Sequence, residues 1–293
     1  MKMNKSILAL LIVLMSTSIN AQVKSLVFKG EKRKYIIYTP KSYSKNSTKP
    51  YSIIFNFHGG GMTMAEQMLY TQMNKTADKH NFIVVYPKGI KEDWNVGFGM
   101  SYKKGTDDIG FIDSLLTKIS KDYKINSKKI FATGLSRGGF FCYRIATELS
   151  HKFAAVATVG ATMPDSVAIH NKGKNKIGIM IVHGTNDLIV DYHGKKNDYY
   201  SALSTYNYWK EQNNLSQAIE KKIFLNKNKH DETFVDILET NNKQQTVKIL
   251  TINNGGHTWP GADDFNVGLP LGNTSKDINL NDLIWSFFNK HER

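Results

Sequence analysis

A single cysteine, Cys142, in 293 residues excludes an intramolecular disulfide, so stability has to come from a buried core. Cys142 stands in the apolar stretch "FFCYRI" and reads as a small buried hydrophobe. Long apolar runs are also missing. "ILALLIVLM", from Ile7 to Met15, is about half of what a membrane-spanning helix needs. Lys2 and Lys5 precede it and the polar "STSINA" ending at Ala21 follows, which makes residues 1–21 an expected cleaved export signal. No cysteine lies near it to carry a lipid, so no membrane anchor is expected after cleavage. Acidic residues are scarce, 25 against 39 basic, for a formal charge of +14 that falls to +12 once Lys2 and Lys5 are removed. The lysines are scattered, with no basic stripe interleaved with aromatics, which argues against nucleic acid as a partner. Such a field favours, at most, anionic surfaces such as acidic polysaccharide. Repeats and a Pro/Ser-rich linker are absent after Ala21, and one domain over 22–293 is expected.

The chain instead alternates short β-rich runs with helical patterns, the signature of an α/β sheet. "SLVFKGEKRKYIIYTP" reads as two strands able to form a hairpin, and "YSIIFNF" as a strand entering glycines. An amphipathic stretch over 63–80 follows, then the strand "NFIVVYP" and a helix over 107–123. "KKIFATG" is a strand and 138–149 a helix, while "FAAVATVGA" and "IGIMIVHG" are continuous apolar runs suited to strands buried on both faces. Near the C-terminus, Leu280, Leu283, Ile284, Phe287 and Phe288 form one helix face behind an Asn279 cap.

Within this layout, "GLSRGG" places Ser136 between a strand and a helix. That is the setting of a nucleophile elbow, where Gly134 and Gly138 leave room for a sharp turn. A serine hydroxyl needs a base. His257 in "TINNGGHTWPG" follows the β-rich run "QTVKILTIN" and so falls where an α/β sheet gathers functional residues. The base needs a carboxylate, and "HGTNDLIVDY" offers two. Asp187 is nearer the strand end and is preferred to Asp191. "HGGG" at His58 to Gly61 supplies backbone N–H groups of Gly60 or Gly61 for an oxyanion, with the Arg137 N–H as a second donor. Only the Arg137 main chain is implicated, so its side chain is expected to be replaceable. The order Ser136, Asp187, His257 is that of α/β hydrolases.

The sequence resembles the secreted esterases grouped with poly(3-hydroxybutyrate) depolymerases and feruloyl or acetylxylan esterases, carbohydrate esterase family 1. The likeness runs from about Lys34 to His291, carried by "HGGG", "VVYPKG", Trp94-Asn95, "DDIGFI", "GLSRGG", "HGTND" and "GGHTWPG". It implies an α/β-hydrolase fold, with a mostly parallel central sheet and helices on both faces. It also implies ester cleavage through an acyl-enzyme on Ser136, Asp187 and His257, with no cofactor and no metal, and it places Trp94 and Trp259 near the acyl pocket. Asp107 is left as a helix cap. Where the family often has Pro after the Val of "HGTxDxxV", this chain has Asp191. No linker or polymer-binding domain is expected, which would favour feruloyl or acetyl esters of plant polysaccharide over solid polyester. A hydroxyalkanoate depolymerase is the alternative, ahead of a prolyl-oligopeptidase-type peptidase or a non-catalytic binding protein. The pocket is expected to be shaped by the loops 96–106 and 193–201.

Overall fold

The computed structural model describes residues 20–173, 175–242, 244–265 and 268–293. The expected export signal falls almost wholly outside them. The first strand, β1 (Ala21–Phe28), forms a hairpin with β2 (Glu31–Tyr38). Lys29 and Gly30 both have positive φ, 50° and 83°, the tight two-residue turn that matches strand twist.

Eight further strands complete one sheet: β3 (Tyr51–Phe57), β4 (Phe82–Pro87), β5 (Ile125–Leu135), β6 (Ala155–Val159), β7 (Gly178–Gly184), β8 (Glu220–Leu225), β9 (Phe234–Asn241) and β10 (Thr246–Asn253). Their order is β1-β2-β4-β3-β5-β6-β7-β10-β9-β8. The stretch from β4 to β10 is parallel, while β1, β2, β8 and β9 pair antiparallel at the two edges. The mostly parallel character therefore belongs to the middle of the sheet.

Central strands such as "FIVVYP" are buried along their whole length because both faces are covered. One core holds Ile53, Phe55 and Phe57 of β3 against α3 (Asp108–Asp122), α4 (Arg137–Glu148) and α6 (Ala202–Gln212). The other holds Ile54, Val84 and Val182 against α1 (Met64–Thr71), α2 (Met73–His80) and α7 (Leu280–Phe288). A short helix, α5 (Asp165–His170), contributes Val167 to the first core.

The amphipathic stretch 63–80 proves to be two helices. Thr63 and Glu66 form a capping box on α1, and Gln72 at φ 49° ends α1 and begins α2. Asn279 caps α7 as expected, accepting from the Asp282 N–H. Asp107 caps α3 by accepting from the Gly110 N–H at 2.9 Å.

Asp108, next to that cap, is fully buried and paired with Arg33 of β2 at 2.8 Å. The Arg33 guanidinium also lies 3.9 Å from the centre of the Phe111 ring. The second Asp108 oxygen accepts from the Asn95 N–H (2.9 Å) and the Thr106 hydroxyl (2.7 Å), which fastens both ends of the loop 96–106. Removing one partner of a buried pair strands the other charge. Asp108→Asn should therefore cost about 3 kcal/mol in urea unfolding. An unchanged midpoint would show that the pair is dispensable.

Candidate active site

The parallel strands β3, β5, β7 and β10 each end in a loop that carries one of the expected functional groups. Ser136 follows β5 at φ 53° and ψ −120°, a conformation that a non-glycine residue adopts at a cost of about 1–3 kcal/mol. Its N–H donates to the Val159 carbonyl at 2.8 Å and its C=O accepts from Phe140 at 2.9 Å. Gly138 is required by space: a Cβ there would lie 2.3 Å from the Phe57 carbonyl oxygen.

His257 is buried in the loop after β10, where its N–H reaches the Leu271 carbonyl at 2.5 Å. Its Nδ1 donates to Asp187 Oδ2 at 2.7 Å. The other Asp187 oxygen accepts from the N–H groups of Ile189 (2.9 Å) and Val190 (2.8 Å). A second imidazole, His183, places Nε2 3.4 Å from Asp187 Oδ2 while donating to the Val190 carbonyl at 2.8 Å. Burial alone would raise the Asp187 carboxyl. The hydrogen bonds from His183 and His257 outweigh it and hold the group well below the usual carboxylate range. Asp191, by contrast, is exposed and accepts from the His193 N–H at 2.8 Å. Of the two carboxylates weighed from sequence, Asp187 is the one that meets His257.

Ser136 and His257 line one cavity of about 870 Å³, with Gly60, Gly61 and Arg137 beside them. Its walls include Met62, Tyr70, Phe98, Phe140, Tyr199 and Phe265. Phe98 comes from the loop 96–106, and Lys195, Asp198 and Tyr199 from the loop 193–201, the two segments expected to shape the pocket.

Three expectations need correction. The Gly61 N–H donates to the Glu92 carbonyl at 2.9 Å and is already committed. Among the described residues the amides of Gly60 and Arg137 have no such acceptor. The Arg137 side chain is not idle, since its guanidinium grips Asp93 through two bonds, at 2.7 and 3.1 Å. Trp94 and Trp259 do not line the cavity. Trp94 is fully buried between Phe57 and Phe141 and donates to the His58 carbonyl. Trp259 is buried in the second core and donates to Asn281. Indole surface was worth more to the interior than to the pocket wall.

Sequence reasoning also missed neighbours of the pair. Gly160 has φ 57°, and a Cβ on it would lie 2.9 Å from the His257 ring. His183 lay in plain view in "HGTND" but had no spacing signal of its own.

A family model described as "Putative esterase" matches residues 27–255. The chain belongs to that family. A bifunctional acetylxylan esterase/xylanase, XynS20E, of Neocallimastix patriciarum is 30% identical over 165 residues, covering 56% of this chain and 22% of that protein. Feruloyl esterase D of Neurospora crassa is 24% identical over 183 residues, 59% of either chain. This esterase-family chain thus matches less than two thirds of the length of these curated relatives. A solved acetyl xylan esterase from Aspergillus awamori superposes with a TM-score of 0.60 at 14% identity, over 92% of this chain and 99% of that one. That likeness bears on the fold, which is the α/β-hydrolase fold.

Asp187→Asn should lower kcat/KM by roughly ten-thousandfold, since an amide there favours the wrong His257 tautomer. Asp191→Asn should leave it within a factor of about two; steady-state kinetics would expose the reverse pattern. Because the folded-state pKa of Asp187 is depressed, its stabilisation is complete above the ordinary carboxylate value of about 4 and is lost as the pH falls below it. Unfolding of the wild type should therefore be more acid-sensitive below about pH 4 than that of Asp187→Asn. Parallel pH profiles would contradict this.

Proposed function

We propose that the chain is a secreted serine esterase acting on feruloyl or acetyl esters of plant cell-wall polysaccharide, with residues 22–293 as one catalytic domain. The observation that carries the reading is the His257–Asp187 contact of 2.7 Å at the cavity that Ser136 enters on its strained turn. In this mechanism Ser136 Oγ adds to the ester carbonyl while His257 Nε2 takes its proton. The Gly60 and Arg137 amides receive the developing oxyanion, and the alkoxide leaves with the proton from His257. Water, deprotonated by His257, then adds to the acyl-enzyme, and its collapse releases the acid and restores Ser136.

The substrate class rests on the names of the relatives and on the pocket. A cavity of about 870 Å³ with Phe98, Phe140, Tyr199 and Phe265 in its walls suits a bulky aromatic acyl group. Export rests on the leader-like residues 1–21.

The test is hydrolysis of methyl ferulate beside a short-chain nitrophenyl ester, with Ser136→Ala as control. The variant should retain at most a residual rate, a loss of about 10⁴-fold or more, by analogy with other triads. Wild-type-like turnover by Ser136→Ala would remove the nucleophile assignment. Ser136-dependent cleavage of the nitrophenyl ester alone would move the substrate to acetyl or hydroxyalkanoate esters.

A further inference from the structure

The Arg137 side chain is the feature that the mechanism leaves unused. Its Nε and Nη2 bond Asp93 at 2.7 and 3.1 Å, Nη2 also bonds the Trp94 carbonyl at 2.9 Å, and Nη1 lies 3.4 Å from the Phe98 carbonyl. A planar fork meeting a carboxylate in this way fixes direction as well as distance. The stem is engaged too, because a Cβ on Gly60 would fall 2.8 Å from Arg137 Cγ.

The segment gripped by this fork is bound to the opposite loop. Glu92, whose φ of 56° and that of Lys91 at 51° make a sharp non-glycine turn, accepts the Gly61 N–H at 2.9 Å. Trp94 Nε1 donates to the His58 carbonyl at 3.0 Å, and His58 Nε2 accepts the Gly89 N–H at 3.0 Å. Residues 89–94 are thus tied to His58 and Gly61 on one side and to the Arg137 guanidinium on the other.

Building on the esterase reading above, we propose that the Arg137–Asp93 ion pair is a positioning device that sets the separation between the two oxyanion donors, the amides of Gly60 and Arg137. One residue then supplies a donor from its main chain and, with its side chain, holds the segment that fastens the loop supplying the other. Rate falls steeply with small misplacements of such donors, by about 10²-fold for an ångström. The Asp93 carboxylate and the Trp94 carbonyl occupy the guanidinium fork, so loss of the pair should register in the transition state more than in substrate affinity.

The experiment uses Arg137→Met, which keeps the stem, and Asp93→Asn, which keeps the shape, with p-nitrophenyl acetate as substrate. Phenylboronic acid serves as a tetrahedral adduct on Ser136. Each variant should lose kcat by about 10- to 100-fold with KM within about threefold. Ki for the boronic acid should weaken in step, and the double variant should fall no further than the worse single one. Should Arg137→Met fail to fold by thermal unfolding, Asp93→Asn and Arg137→Lys decide the matter, since a lysine cannot reproduce the fork. An unchanged boronic acid Ki, a loss confined to KM, or additive single losses would overturn the positioning role. Absence of Ser136-dependent turnover in the wild-type protein overturns the esterase reading and this one with it. Normal wild-type turnover matched by the folded variants overturns this one alone.

Discussion

The turn at Ser136 is the constraint from which the rest of the candidate site follows. β5 must end and α4 begin within one residue, and Ser136 absorbs the reversal at a positive φ. Packing holds it there. Gly138 presses against the Phe57 and His58 carbonyls with no room for a side chain, and the Ser136 amide is tied across to Val159 of β6. The same compression brings Arg137 against Gly60. Ser136 and both candidate amide donors are therefore gathered where the ends of β3 and β5 meet.

Electrostatics separates the two histidines that flank this turn. Burial lowers the His58 pKa, and both of its nitrogens are engaged as in a neutral ring: Nδ1 donates to the Gly59 carbonyl and Nε2 accepts from the Gly89 N–H. It is a brace, with no lone pair left for chemistry. Among the described residues the His257 ring bonds only through Nδ1, to Asp187, which fixes the tautomer and leaves Nε2 without a hydrogen. Asp187 can be a buried anion because it has two amides on one oxygen and two imidazoles near the other. A carboxylate so surrounded stays ionised through the range in which an ordinary imidazole is neutral.

Much of this was legible because the chemistry imposes local patterns. Glycines around Ser136, the glycine-histidine loop after a β-rich run, and an aspartate just past a buried strand all announce themselves in one dimension. Asp187 was preferred to Asp191 by its distance from the strand end, and the geometry of the pair has the same cause. The strands β8 and β9 and helices α5 and α6 were not read, since their patterns are short or mixed. α6, for example, buries Ala202, Thr205, Tyr206 and Trp209 amid polar neighbours. Gly61, Trp94 and the Arg137 side chain were misjudged for a different reason. Their partners, Glu92, His58 and Asp93, stand 31 to 44 residues away, or in a loop without periodicity, and no local signal records such meetings.

The pocket wall shows how those distant meetings shape the cavity. Phe98, Phe140 and Tyr199 come from a loop, a helix and a second loop, yet each ring lies 4.9 to 5.7 Å from the other two. Phe98 is held through the Arg137 contact with its carbonyl and through the loop ends that Asp108 fastens. Tyr199 is held by its backbone pairing with Lys195 and by its hydroxyl, which accepts from the Asp191 amide. Asp191, displaced from the catalytic role that its chemistry suggested, thus anchors the wall from behind through its main chain. Because the three rings pack as a unit, a change at one shifts the others, and their effects on the shape of the cavity should not add. The size of the cavity is then set by the mutual fit of three elements, which no one of their sequences contains.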